Sequence, residues 1–316
     1  MATKLLRRAL LLVAAASALV LAACGGGTVD SKFTPDRIVV FGDAVADLGQ
    51  NGARYTVNDG SVNNWTTVIA NNYGRALAAS VNGGLSYAIG NARVTQTPDA
   101  AGNAATPTVA QQVSTFLASH GSGSTDLVIF NGGTSDVIVQ TKAVLDGTIT
   151  QAQAMANLDQ AGHDLSDQVR RVLAAGATHV VVVGPYNMGR SVWAQIATST
   201  SLMEQLSLQF NNRLLVNMVD LGDRVLYVDA AFYFNLVTSS PSSYSFNNVS
   251  GAVCNSVDAG PGIGTGLGRI NSNLCTTSTL IATDYNHYVF ADLVYMTPQS
   301  QSLFGDYALS RIHDRW

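Results

Sequence analysis

The residues of this chain with the types and spacing to do chemistry fall in four short blocks. Gly42-Asp43-Ala44-Val45-Ala46-Asp47-Leu48-Gly49 sets two carboxylates in a turn of small residues. Tyr87-Ala88-Ile89-Gly90-Asn91-Ala92 ends a short apolar piece at a glycine. Gly132-Gly133-Thr134-Ser135-Asp136 offers hydroxyls and a carboxylate, and Phe290-Ala291-Asp292-Leu293-Val294-Tyr295-Met296-Thr297-Pro298 spaces a carboxylate and a phenol three apart. Asp284-Tyr285-Asn286-His287 has the same spacing with an imidazole. Acyl transfer through an enzyme oxygen needs a nucleophile, a base near neutral pH, a group that orients the base, and donors for the oxyanion. No Gly-x-Ser-x-Gly elbow is present. Asp43 and Asp47 have the alternative of bonding backbone N–H groups, as carboxylates in such turns do. His120, His163, His179 and His313 fall at helix ends or strand starts without metal-ligand spacing, so no metal is expected. The glycines from Gly260 to Gly268 lack dinucleotide-loop spacing and a surrounding βαβ unit, so no cofactor is expected either.

These blocks need elements to position them. Arg37 to Phe41, Asp126 to Asn131, His179 to Val183 and Arg224 to Val228 are apolar, β-branched runs of the kind that forms parallel strands buried on both faces. Between them, Asn63 to Leu77, a segment opened by Thr106-Pro107 with proline at the first helical position, Thr150 to Ala174 and Leu202 to Leu221 show helical spacing. A helix from Pro298 to Ile312 ends the chain. Alternating strands and helices imply a doubly wound α/β fold with a parallel sheet. In such sheets ligands sit outside the carboxyl ends of the strands, where the first and third blocks fall. From Tyr233 to Thr283 the composition shifts to Ser, Asn, Gly and Thr, which reads as a long excursion centred on 239–283.

In this order the blocks resemble the signatures of the SGNH/GDSL esterases and lipases over most of the chain. That family writes the first block Phe-Gly-Asp-Ser-Leu-Ser-Asp-x-Gly, with the first serine as nucleophile; Ala44 stands in its place. Gly90 matches the glycine whose N–H serves the oxyanion hole. Ser135 replaces an asparagine that donates to the oxyanion, and its hydroxyl is still able to donate. Asp292 matches the acid that orients the base, and Tyr295 occupies the position of the histidine. The resemblance implies a three-layer α/β/α domain around a mostly parallel, flavodoxin-like five-stranded sheet. It also implies acyl-ester, lipid or acylated-glycan ligands. A methyl group cannot attack an ester, and a phenol with an ordinary pKa near 10 is a poor proton acceptor at neutral pH. Losing nucleophile or base alone costs about a millionfold in triads that act as a unit. The expectation is an impaired esterase. Two alternatives are a non-catalytic binder holding an oxygen at the Ala44 N–H, Gly90 N–H and Ser135 hydroxyl, or an active esterase with a relocated set such as Ser135 and His287. A Ser→Ala change made alone would leave the histidine, so the change at Tyr295 favours natural divergence.

The amino terminus has its own pattern. Lys4, Arg7 and Arg8 precede the apolar run Ala9 to Ala22, and Leu21-Ala22-Ala23-Cys24 reads as a bacterial lipoprotein cleavage box. The run is too short to span a membrane and ends in small residues and Gly25-Gly26-Gly27. The expected organisation is a signal peptide at 1–23, a lipidated tether at 24–35 and one domain at 36–316, held in the cell envelope through acylated Cys24. The absence of Asp after Cys24 favours the outer membrane. In that oxidising compartment Cys254 and Cys275 are expected to pair, closing a loop worth roughly 3 kcal/mol. The net charge is −4, and three basic residues leave with the leader, so nucleic acid is not an expected partner. The oligomeric state is left open.

Overall fold

The computed structural model describes residues 33–61 and 63–316 of the 316-residue chain. The expected leader and Cys24 lie outside the described residues. Four parallel strands, β1 (Arg37–Gly42), β2 (Asp126–Asn131), β3 (His179–Val183) and β4 (Val225–Tyr227), pair in that order. The side chains of Ile38 to Phe41, Leu127 to Phe130 and Val180 to Val183 are all buried, as uninterrupted apolar strands require. The fifth strand is reduced to an irregular edge. Val40 N–H donates to the Leu85 carbonyl, Tyr87 N–H to Val40 and Ile89 N–H to Gly42, so residues 85–89 run along the outer side of β1. Both backbone groups of Ser86 turn away to Ala78 and Ser80, which keeps the pairing to one isolated bridge.

The helices lie on both sides of the sheet. After β1 comes α1 (Trp65–Asn72), and before β2 comes α2 (Val109–Ser119). Between β2 and β3 are α3 (Thr134–Leu145) and α4 (Gln151–Ala174); between β3 and β4 are α5 (Val192–Ile196) and α6 (Thr200–Met218). Beyond β4 are α7 (Ala230–Ser239), the strands β5 (Asn248–Ala252), β6 (Val257–Asp258), β7 (Arg269–Ile270) and β8 (Tyr288–Phe290), and α8 (Pro298–Arg315). Helices α2 and α6 pack on α4, whereas α1 packs on α8. No helix among the described residues is long and apolar enough to cross a membrane.

Several boundaries differ from expectation for local reasons. Helix α1 starts at Trp65 because Asn64 caps it, with Thr67 reciprocating, and it ends before Gly74, whose φ is +62°. Pro107 is not the first helical residue: Thr108 is the cap, closed by Gln111, and the helix starts at Val109. Helix α6 ends at Met218, and a 3-10 stretch follows to Arg224. His163 lies in the middle of α4 rather than at an end.

The excursion is more ordered than its composition suggests. Its opening residues to Ser239 are helical, β5 pairs with β8 in parallel, and β6 pairs with β7 antiparallel. Cys254 and Cys275 form the expected disulfide. The excursion is tied to the loop after β1 by the Asn58 N–H to the Cys275 carbonyl at 2.9 Å and by Asn273 Nδ2 to the Ala53 carbonyl at 2.9 Å.

β1 and β2 converge tightly at their carboxyl ends. A Cβ added to Gly42 would stand 2.0 Å from the Asn131 carbonyl oxygen, and Gln112 brackets the same residue by accepting its N–H and donating to its carbonyl. Replacing Gly42 by alanine therefore forces the strands apart. The variant is expected to lose about 3 kcal/mol, read as a lower urea midpoint with an unchanged slope.

Candidate active site

The turn after β1 is organised by its two carboxylates. Asp43 is fully buried. Its Oδ1 accepts from Val45 N–H at 3.2 Å, and its Oδ2 from Thr134 N–H at 2.9 Å and Ser135 N–H at 3.4 Å. It thus caps the amino end of α3, where unsatisfied N–H groups and the helix dipole favour an anion. Residues 134–136 are the first turn of that helix. Asp47 Oδ1 accepts from Gly49 and Gln50, and its Oδ2 accepts from Gly90 N–H at 2.8 Å. Both carboxylates bond backbone N–H groups, which is the role their turn position suggested. Burial pushes Asp43 up to about 7 and Asp47 up to about 6, against the lowering effect of those hydrogen bonds.

The fourth block is a tight turn built on Asp292. This buried carboxylate accepts from Val294 N–H at 2.8 Å and Tyr295 N–H at 2.7 Å through Oδ1, and from Ser272 N–H at 3.0 Å through Oδ2. All of its bonds go to backbone, one of them to the excursion. Burial raises its pKa, and the nearby Ser272 side chain together with the same N–H groups opposes the rise.

The structure brings the five singled-out positions together. Ser135 N–H bonds Asp43, the neighbour of Ala44. Tyr295 lies within electrostatic reach of Asp43, Asp292 and Ser135. Gly90 joins through Asp47 and through Tyr55, whose ring stands 2.0 Å from where a Gly90 Cβ would be and meets Tyr295 edge to face with centroids 5.4 Å apart. Ala44, Gly90, Ser135 and Tyr295 are all buried.

Tyr55, which the sequence did not single out, packs against Gly90 and Tyr295. It sits in a polar loop without periodicity, so no sequence pattern signals this contact. The oxyanion role expected of Gly90 meets two competitors, since its N–H is committed to Asp47 and its open face is covered by Tyr55. The hydroxyls of Ser135 and Tyr295 are both buried without a hydrogen-bond partner, although Ser135 lies close enough to bias the phenol. Burial first, then the carboxylates of Asp43 and Asp292, hold Tyr295 well above the ordinary phenol range. His287 is exposed and its Nδ1 lies 2.7 Å from the Ser245 carbonyl, whereas Ser135 is fully buried.

The sequence model for GDSL-like lipases and acylhydrolases matches residues 38–307, from the first strand to the last helix. The chain belongs to the GDSL-like lipase/acylhydrolase family. Acyl esters are the ligand class that this membership implies. No curated protein matches the sequence. Among solved structures, a lipolytic G-D-S-L family protein from Veillonella parvula aligns over 86% of this chain and 96% of its own, at 12% identity and a TM-score of 0.46. Est24, a carbohydrate acetylesterase from Sinorhizobium meliloti, aligns over 87% and 96%, at 13% identity and a TM-score of 0.45. Phospholipase A1 from Streptomyces albidoflavus aligns over 88% and 98%, at 15% identity and a TM-score of 0.47.

Two measurements probe this GDSL-family site. An orphaned buried hydroxyl costs stability, so Tyr295→Phe is expected to be neutral or stabilising by up to about 1 kcal/mol in urea unfolding. A clear loss would mean that the hydroxyl is bonded. Asp43 and Asp47 hold their protons to higher pH when folded than the unfolded value near 3.9 allows. Their contribution is therefore present below about pH 4 and lost as pH rises through 6 and 7. Asp136 and Asp292, also raised by burial, act in the same direction. The thermal midpoint is expected to fall by about 5 °C or more between pH 4 and pH 7 and to level off above.

Proposed function

We propose that this chain is a non-hydrolysing member of the GDSL family, displayed in the bacterial cell envelope on a lipid anchor at Cys24, and that it works through its surface rather than through the inherited site. One observation carries this reading: the place of the nucleophile and base is occupied by a buried methyl group and a buried phenol. Tyr55 closes the remaining opening over Gly90. An ester entering there would need to displace both rings, and would then meet neither an attacking oxygen nor a base. The same burial argues against capture of an acyl group at this position. The lipid anchor rests on the basic start, apolar run and Leu21-Ala22-Ala23-Cys24 box, with the outer membrane favoured by the lack of Asp after Cys24.

The test is hydrolysis of short and medium acyl p-nitrophenyl esters by the purified chain and by Ala44→Ser, Tyr295→His and the double variant. The wild-type chain and both single variants are expected to show no turnover above background, because nucleophile and base act as a unit. Turnover is expected only when the double variant also carries Tyr55→Ala, because Tyr55 otherwise still covers Gly90. Wild-type turnover that disappears on Ser135→Ala would overturn the reading.

A further inference from the structure

Helix α6 has two apolar faces. The inner one, with Met203, Leu206, Phe210 and Leu214, is buried against the core. The outer one is unusual for a surface helix: Leu208 is 55% exposed, Leu215 40% and Val216 64%, and Val219 just beyond the helix is 84% exposed. Spacings of seven, eight and eleven residues from Leu208 place Leu215, Val216 and Val219 along one stripe. The stripe runs into a hollow of about 430 Å³, shared by Leu215, Val216 and Val219 with Val225 and Tyr227 of β4. β4 is the last strand of the sheet, so the end of the helix and the sheet edge together present one apolar face, with Leu208 set apart from it by the exposed Asn212. Single exposed apolar side chains need no explanation, but a contiguous face of this kind marks an interaction surface.

Three observations indicate what covers it. The first is where the tether joins the domain. Phe33, the first described residue, stacks on His179 with ring centroids 3.6 Å apart and meets Trp316 edge-on at 6.2 Å. Trp316 Nε1 donates to the Asp223 carbonyl at 2.9 Å, two residues before β4, and His179 begins the strand that β4 pairs with. The tether therefore reaches the fold beside the apolar face.

The second is its length. Eight residues separate Cys24 from Phe33, and the nine steps between them span at most about 30 Å. Acyl chains on Cys24 would hold this edge of the domain near a bilayer, where a weak apolar contact gains from high effective concentration. The third is charge. Asp220 pairs with Arg170 and Asp223 with Arg315 around the rim, so no unmatched carboxylate of these two repels an anionic lipid surface. Trp316 and Tyr227 add the amphipathic rings that favour a headgroup region.

We infer that the face formed by Leu215, Val216, Val219, Val225 and Tyr227 rests on the lipid bilayer and sets the orientation of the anchored domain. The tether part of this inference rests on the reading of Cys24 as the lipid site. With this face down, the carboxyl ends of the strands and the disulfide-linked excursion are left free for other contacts.

The experiment uses the full chain, processed and purified from cells, in vesicles of phosphatidylethanolamine with a minority of phosphatidylglycerol. Val216→Cys carries an environment-sensitive fluorophore, and Leu267→Cys on the excursion, where Leu267 is 74% exposed, carries the same label as a control. The label at 216 is expected to shift to the blue and to be quenched by lipid-borne nitroxides several-fold more than the label at 267. Adding Val219→Asp is expected to remove most of that difference. Equal, solvent-like signals at both positions overturn the inference, as does a blue shift at 216 that is already complete without vesicles, which would assign the face to a second copy of the chain. The intact mass of the same samples reports acylation of Cys24 separately. An acylated chain with a solvent-exposed label refutes the face but not the anchor; an unacylated chain whose label enters added vesicles refutes the anchor but not the face.

Discussion

A buried carboxylate joins the two halves of the site. Asp43 leaves the end of β1 and accepts the first N–H groups of α3, so the turn that should carry a nucleophile and the turn that should carry an oxyanion donor are fixed to each other. Removing such an acceptor would orphan three buried N–H groups, each costing on the order of 1–3 kcal/mol. The carboxylate therefore has a reason to persist that is independent of catalysis. Asp47 and Asp292 have the same one, because each gathers N–H groups from segments that the chain must bring together. In this protein the three carboxylates all serve as acceptors for backbone N–H groups.

Closure of the site follows from that framework. With Asp47 holding the Gly90 N–H and Asp292 fixing the turn that presents Tyr295, two tyrosine rings in edge-to-face contact fill the space beside Gly90. The neighbouring hollow between β2, β3, α7 and α8 holds only about 10 Å³, close to the least that admits a single water.

Much of this was legible in the sequence, and the exceptions have physical causes. Strands β1, β2 and β3 are uninterrupted apolar runs, which few other structures accommodate. The four blocks identify the family because their spacing and order are specific, and all of them reach one place in the fold. Helix α3 was hidden because its amino end follows Gly132-Gly133, which reads as a loop until the distant Asp43 is seen to cap it. Pro107 misplaced a helix start by standing one residue before the true cap, Thr108. The expected oxyanion donor at Gly90 was read without its neighbours, since neither the bond from Asp47 nor the Tyr55 ring leaves a local pattern. In the excursion, composition hid β5, whose partner β8 lies far along the chain.

The ties that assemble the site also span almost the whole chain. Gln301 on α8 donates to the Val45 carbonyl, 256 positions earlier, and Thr56 Oγ1 donates to the Met296 carbonyl across 240. Pairings this distant in sequence must overcome a large loop-closure entropy before they return any stability, and topologies dominated by them fold slowly. The turn after β1 is made early in synthesis and can gain Gly90 and the start of α3 as partners midway, but its bond from Gln301 must wait for the final helix. A ribosome that stops short of residue 301 would release a chain whose sheet can begin to pair while its first loop remains unclosed. For this protein, completion of the carboxyl terminus is the event that seals the amino-terminal turn.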